Sequence, residues 1–199
     1  DRELALRVYT TRLLGGEPRL VLHGGGNTSV KGKVKDLLGD EWDVLCVKGS
    51  GWDMAVIEPA GLPAVKLASL LKARKLDKLS DEDMVALQRA NLIDPASPNP
   101  SVETLLHAFL PHKFVDHTHS TAVLAIVDQK DSETLSRKVF GPKMGFVPYI
   151  KPGSSTPPAA RPKPKIVLVN LATAEKTEIE GASAFQFSGE ASTHIASRK

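Results

Sequence analysis

The sequence predicts an α/β fold over residues 1–153, a proline-rich linker over 154–165 and a short β-rich tail over 166–199. Apolar residues recur at helical spacing in some segments, whereas others are short runs rich in β-branched residues, which predicts mixed helices and strands. Residues 154–165 contain four prolines and no large apolar side chain. That composition is typical of a linker.

The elements follow in order along the chain. Helices are predicted over residues 3–14, ended by Gly15 and Gly16, then over 63–75, 81–92, 101–110, 122–127 and 132–139. Pro63 suits a first helical turn, and Ser80 and Ser101 suit N-caps. Strands are predicted over residues 20–22, from Asn27 to Lys35, and over 43–48, 114–118, 145–150, 166–169 and 184–187.

Composition excludes several classes of protein. The 199 residues are 41% hydrophobic and 25% charged, as is ordinary for a globular domain. No apolar run approaches the roughly 18 residues that span a bilayer, so no membrane partner is expected. A net charge of +3 with no basic stripe predicts no nucleic-acid partner. The single cysteine, Cys46, excludes an internal disulfide and favours a cytoplasmic location.

A glycine loop, His23–Ser29, reads His-Gly-Gly-Gly-Asn-Thr-Ser. Consecutive glycines let a backbone approach a ligand closely, and the following polar side chains add donors, which suits a phosphate. The loop has neither the Walker lysine nor the dinucleotide-binding spacing. A simple tight turn is the alternative interpretation.

A second glycine turn, Lys48–Asp53, follows a predicted strand, and its Ser50 and glycine amides would suit another anion contact. The alternative is an ordinary hairpin turn. Glu103 falls in the first turn of a predicted helix, where the helix dipole favours a carboxylate. It is therefore either a helix-start charge or an acid/base group at the mouth of a site.

His117 and His119 lie two residues apart on a predicted extended segment, so both rings point to one side. Two imidazoles placed in this way suit two positions of a tetrahedral zinc site. A structural histidine pair is the alternative. Taken together, a zinc site, an anion loop and a carboxylate indicate carbonyl chemistry on a sugar phosphate, with the metal stabilising an enediolate.

These motifs resemble the class II aldolase/adducin family. The resemblance spans residues 1–153, and the stretch 99–119 is its longest and most specific part. Within the family, the chain is most similar to the aldolase part of bifunctional rhamnulose-1-phosphate aldolase/alcohol dehydrogenase proteins. Those relatives imply a three-layer α/β/α fold around a mainly antiparallel sheet, often assembled as a homo-tetramer.

The resemblance also implies the roles of individual residues. Glu103 would be the general acid/base, and His117 and His119 would be two of three histidine ligands to Zn²⁺. The substrate phosphate would be held by Gly26, Asn27, Ser50, Gly51 and Ser101. The implied reaction is cleavage of L-rhamnulose 1-phosphate to dihydroxyacetone phosphate and L-lactaldehyde.

The sequence departs from the family pattern in two places. Ser101-Val102-Glu103 replaces the Ser-Ser-Glu of fuculose-phosphate aldolases, which removes one hydroxyl from the expected phosphate site. No Gly-His-Gly follows residue 119, and His194, the only later histidine, has an unsuitable context. Residues 165–188 resemble part of a β-propeller blade. A truncated or fused aldolase domain, beginning at Asp1 rather than Met, is therefore expected.

Two alternatives remain open. A pentulose-phosphate 4-epimerase of the same family would use the same bond chemistry. An adducin-like binding module would keep the fold without catalysis.

Overall fold

A computed structural model describes residues 2–146, 165–169 and 176–180. The helices are α1 (Arg2–Gly15), α2 (Leu67–Ala73), α3 (Asp81–Ala90), α4 (Thr104–Phe109), α5 (Thr121–Val127) and α6 (Ser132–Phe140). The strands are β1 (Asn27–Lys35), β2 (Glu41–Val47), β3 (Ala64–Lys66), β4 (Phe114–His117), β5 (Lys165–Val169) and β6 (Lys176–Glu180). The chain forms two compact units, with the first ending at His119 and the second beginning at Ser120.

The first unit is built on a four-stranded antiparallel sheet in the order β3-β2-β1-β4. β1 and β2 form a long hairpin in which Ser29 lies opposite Val47. β4 pairs with the other edge of β1 and brings His117 opposite Asn27. The sheet thus carries the first glycine loop and the histidine pair to one end of adjacent strands.

Side chains alternate between the two faces of the sheet and build two apolar cores. On one face, Val8 of α1 packs with Val30, Val44 and Cys46. On the other face, the buried side chains of β2 and β3 pack with those of α2 and α4, namely Leu45, Val47, Val65, Leu70 and Ala108. The result is the expected three-layer α/β/α arrangement.

Two predicted elements are wrong. Residues 20–22 form no strand, because the Leu20 and Val21 amides both donate to the Glu17 carbonyl in a turn. The helix expected from Pro63 begins only at Leu67, since residues 64–66 instead form β3 against β2. Val65 is fully buried in that sheet position, so tertiary burial overrides the local helical pattern.

The second unit contains α5 packed on α6, and β5 paired antiparallel with β6. β5 confirms the strand predicted over 166–169. The strand predicted over 184–187, residues 147–150 of another and residues 154–164 of the linker lie outside the described residues, as does most of the β-propeller resemblance. Among the described helices, none combines the length and the apolar character needed to cross a bilayer.

Candidate active site

The end of β4 places the two histidines beside the glycine loop. The His117 and His119 ring centroids are 4.9 Å apart, with the rings tilted by 52°. The His119 amide donates to the Leu20 carbonyl at 2.8 Å, which ties this segment to the residues just before the loop. Gly26 has φ +70°, and a Cβ there would lie 2.7 Å from the His117 carbonyl oxygen. Glycine is therefore required where the loop meets β4.

Glu103 is held by two of the residues expected to bind phosphate. The Asn27 amide nitrogen Nδ2 donates to Glu103 Oε2 and to Ser101 Oγ, both at 2.9 Å. The Ser101 hydroxyl donates to the same Glu103 oxygen at 2.5 Å. Ser101 is not the N-cap predicted for α4, because Glu103 itself precedes the first helical residue, Thr104. The three side chains form a cluster that we call the Glu103 clamp.

The second glycine turn lies directly against the Glu103 clamp. The Ser101 amide donates to the Lys48 carbonyl at 3.0 Å, and the Ser50 amide donates to the Asn99 carbonyl at 2.7 Å. The Gly49 amide is also occupied, by the Gly61 carbonyl at 2.8 Å. The Ser50 side chain and Gly51 are exposed, so they are the part of this turn that a ligand can meet.

Thr28 and Ser29 do not offer their hydroxyls to a ligand at the glycine loop, although the sequence suggested that they would. As strand residues, they point to opposite faces of the sheet and are fully buried. Thr28 bonds to Thr11 of α1 at 2.7 Å, and Ser29 bonds to His107 Nδ1 of α4 at 2.8 Å. Both hydroxyls therefore join layers of the fold.

β1 holds α4 through three alternate side chains. Asn27 bonds to residues just before the helix, and Ser29 bonds to His107 within it. Lys31 donates through Nζ to carbonyls at the far end, including those of Leu110 and His112. Burial lowers the Lys31 pKa to about 8. β1 therefore holds α4 before its start, in its middle and beyond its end, and these contacts together fix the position of Glu103.

His107 lies one helical turn after Glu103 and is 1% exposed. Burial lowers its pKa to about 3. Its ring is therefore neutral near pH 7. Within the described part of the chain, its Nε2 is buried without a hydrogen-bond partner. The His107 ring turns to Ser29 of β1.

Lys48 is a candidate site residue that sequence reasoning missed. It is 4% exposed, and burial lowers its pKa, while the Glu103 and Asp53 charges act in the opposite direction. A cation immediately before a Gly-Ser-Gly turn at a strand end was the available signal. A largely buried ammonium group beside the Glu103 clamp suits an anionic ligand.

The histidine pair fits two positions of a zinc site by its donor chemistry and spacing. Across residues 2–146 and the two described strands of the tail, no three His, Cys, Asp or Glu side chains converge into a metal-binding group. His194 lies outside those residues. A three-ligand zinc site on this pair would therefore require a further ligand from elsewhere in the chain or from another subunit.

Comparisons with known proteins agree with the motifs and the fold. A Bacillus subtilis (strain 168) protein named "Uncharacterized oxidoreductase YuxG" is 40% identical over 146 residues, which is 73% of this chain. The match covers only 21% of that protein, so this chain spans about a fifth of its length.

A solved structure, that of the N-terminal class II aldolase domain of a conserved Thermoplasma acidophilum protein, is also similar. It shares 44% sequence identity with a TM-score of 0.68, over 74% of this chain and 68% of the other. The family model described as "Class II Aldolase and Adducin N-terminal domain" matches residues 5–170. The chain therefore belongs to the class II aldolase and adducin N-terminal domain family.

Proposed function

We propose that the chain is a zinc-dependent aldolase domain that cleaves a ketose 1-phosphate, with L-rhamnulose 1-phosphate as the substrate. One observation carries the proposal: Asn27 lies opposite His117 in the sheet and donates to the Glu103 carboxylate. A single residue thus links the acid/base candidate to the first metal-ligand candidate. Proton transfer at a metal-polarised carbonyl needs the acid/base and the metal ligands to lie close together.

The phosphate of the substrate would meet the surface between the two glycine turns. Asn27, Ser101 and the exposed Ser50 supply neutral donors, and the exposed Gly51 allows close approach, whereas the space beside Gly26 is occupied by the His117 carbonyl. Lys48 adds a positive charge at a largely buried position. This cation offsets the hydroxyl lost at Val102, since a hydrogen bond to a charged group contributes about 1.5–3 kcal/mol.

Zn²⁺ would be held by His117 and His119 together with a ligand from outside the described residues. When bound, it supplies Lewis-acid polarisation of the substrate carbonyl. The protein's own part is proton transfer. In cleavage, the C4 hydroxyl loses its proton, the C3–C4 bond breaks and C3 keeps the bonding pair. Glu103 carries a proton from that hydroxyl to C3, which yields dihydroxyacetone phosphate and L-lactaldehyde.

Assay of the zinc-loaded chain tests the proposal, with dihydroxyacetone phosphate as the measured product. We expect release from L-rhamnulose 1-phosphate that is faster than from L-fuculose 1-phosphate. Conversion of L-ribulose 5-phosphate without release of cleavage products would instead identify a 4-epimerase. Sugar-phosphate binding with no turnover at one zinc per chain would identify a binding module.

Two variants separate the roles of the site residues. Glu103→Gln should abolish turnover and keep the zinc content, because it removes the acid/base and leaves the histidines. His117→Ala should abolish zinc uptake. Turnover by the first variant, or an unchanged zinc content in the second, would refute the corresponding role.

A homo-tetramer, as the resemblance implies, remains part of the proposal. Light scattering on the eluted protein measures the mass directly. A monomeric mass with full activity would show that no partner subunit is needed to complete the site.

A further inference from the structure

The phosphate-binding candidates and the acid/base share the same hydrogen-bond donors. Asn27 donates from Nδ2 to both Ser101 and Glu103, and Ser101 donates its hydroxyl proton to Glu103. An Asn side chain has two N–H donors, and a serine hydroxyl has one. Every donor of these two side chains is therefore engaged within the Glu103 clamp.

An incoming phosphate cannot take these donors while Glu103 keeps them. Both groups are anions and only accept hydrogen bonds from such donors. Asn27 is 4% exposed and Ser101 is 7% exposed, so water offers little replacement for a lost partner. Two like charges at one poorly hydrated site also repel each other strongly. Phosphate binding at this position and clamping of Glu103 therefore exclude each other.

Lys48 can pair electrostatically with either anion, Glu103 or the phosphate. Lys48 lies within electrostatic reach of the Glu103 carboxylate, and its backbone carbonyl accepts from the Ser101 amide. A phosphate that replaced Glu103 at the clamp would keep this positive charge paired. The exchange thus costs less than placing a second anion at the site.

We propose that Asn27 and Ser101 are specificity-determining residues that release Glu103 only when a phosphate takes their donors. The inference rests on the proposed function, because it concerns the same anion site. It selects phosphorylated substrates by a second means besides affinity. A ketose without a phosphate would leave the Glu103 carboxylate hydrogen-bonded to Asn27 and Ser101 in the clamp.

Binding of inorganic phosphate to the full chain, measured by calorimetry, tests the exchange without any activity. Glu103→Ala frees the donors, so its phosphate dissociation constant should be about tenfold lower than that of the wild type. Asp53→Asn is the matched control, because it removes another carboxylate near Lys48 and leaves the Glu103 clamp intact. That control should change the constant less than threefold. An equal gain in both variants would overturn the inference, since charge alone would then explain it.

Carbon and nitrogen NMR on the wild type provides a second measurement if a variant fails to fold. The Asn27 side-chain amide and Glu103 carboxyl resonances should move together as phosphate saturates the chain. Saturation with an unmoved Glu103 carboxyl signal would overturn the shared-donor inference and leave the aldolase proposal standing. No phosphate binding by wild type or Glu103→Ala would overturn both.

Discussion

Asn27 and Glu103, which are 76 residues apart in the sequence, are joined by a hydrogen bond of 2.9 Å between Asn27 Nδ2 and Glu103 Oε2. Asn27 opens β1, one of the two inner strands of the sheet, and Glu103 immediately precedes α4. The bond therefore connects the sheet layer to a helical layer at the point where the chemistry is expected. Its strength depends on an amide donor facing a carboxylate acceptor.

Asn27→Asp should turn this attraction into a repulsion. The substitution replaces the donor with a second carboxylate, so we expect the free energy of unfolding to fall by about 2 kcal/mol. Urea denaturation at pH 7 measures the change. In a Glu103→Gln background the same substitution should cost much less, because the facing charge is gone. Equal losses in both backgrounds would show that the Asn27–Glu103 bond does not stabilise the fold.

His107 should make the chain less stable as the pH falls below 7. Its pKa is lowered to about 3 in the fold, whereas an unfolded histidine titrates near pH 6.5. Between these values the unfolded chain binds the extra proton, so stability is lost as the pH decreases. From pH 7 to pH 5 the loss should be about 2 kcal/mol.

Denaturation curves at the two pH values for wild type and His107→Gln measure this contribution. In His107→Gln, the free energy of unfolding should fall much less between pH 7 and pH 5 than it does in the wild type. His23→Gln, on the exposed glycine loop, is the matched control and should show the same fall as the wild type. If His107→Gln also showed the full fall, another group would have to be responsible.

The buried ion pair between Arg7 and Asp116 should be costly to break from one side. Arg7 Nη2 lies 2.6 Å from Asp116 Oδ1, and the Arg7 side chain is 1% exposed. Asp116→Asn would leave the guanidinium buried without its counter-charge, which should cost about 3–5 kcal/mol. Thermal and urea unfolding measure the loss.

The double variant Arg7→Met, Asp116→Asn should recover part of that loss, since no unpaired charge then remains in the interior. If the double variant lost as much stability as Asp116→Asn and Arg7→Met lose together when made singly, the effects would be independent packing effects. Such additivity would mean that the two charges do not interact energetically.

Local patterns in the sequence predicted much of the fold. Helical spacing identified α1, α3, α5 and α6, and β-branched runs identified β2 and β5. The Ser80 cap is confirmed, because its hydroxyl oxygen accepts from the Asp83 amide at 3.0 Å. These features depend on neighbouring residues, so the local sequence contains the required information.

The candidate site, like the fold, could be predicted from the sequence only where it depends on neighbouring residues. The motif order predicted roles for Glu103, His117 and His119, and it identified the family, because each motif is a short run of residues. Spacing along the sequence could not predict the tertiary contacts of the site. Asn27 and Ser101 hold Glu103, Ser29 faces His107, and Lys48 is buried beside them. These contacts join residues from separate strands, turns and a helix, and strand pairing and burial alone bring them together.

The sequence by itself therefore determined which chemical groups this protein has and which family carries them. The tertiary structure decided how those groups are paired: the donors of Asn27 and Ser101 are given to Glu103. The physical reason is that a hydrogen bond needs its partners within about 3 Å, whereas sequence distance says nothing about that separation.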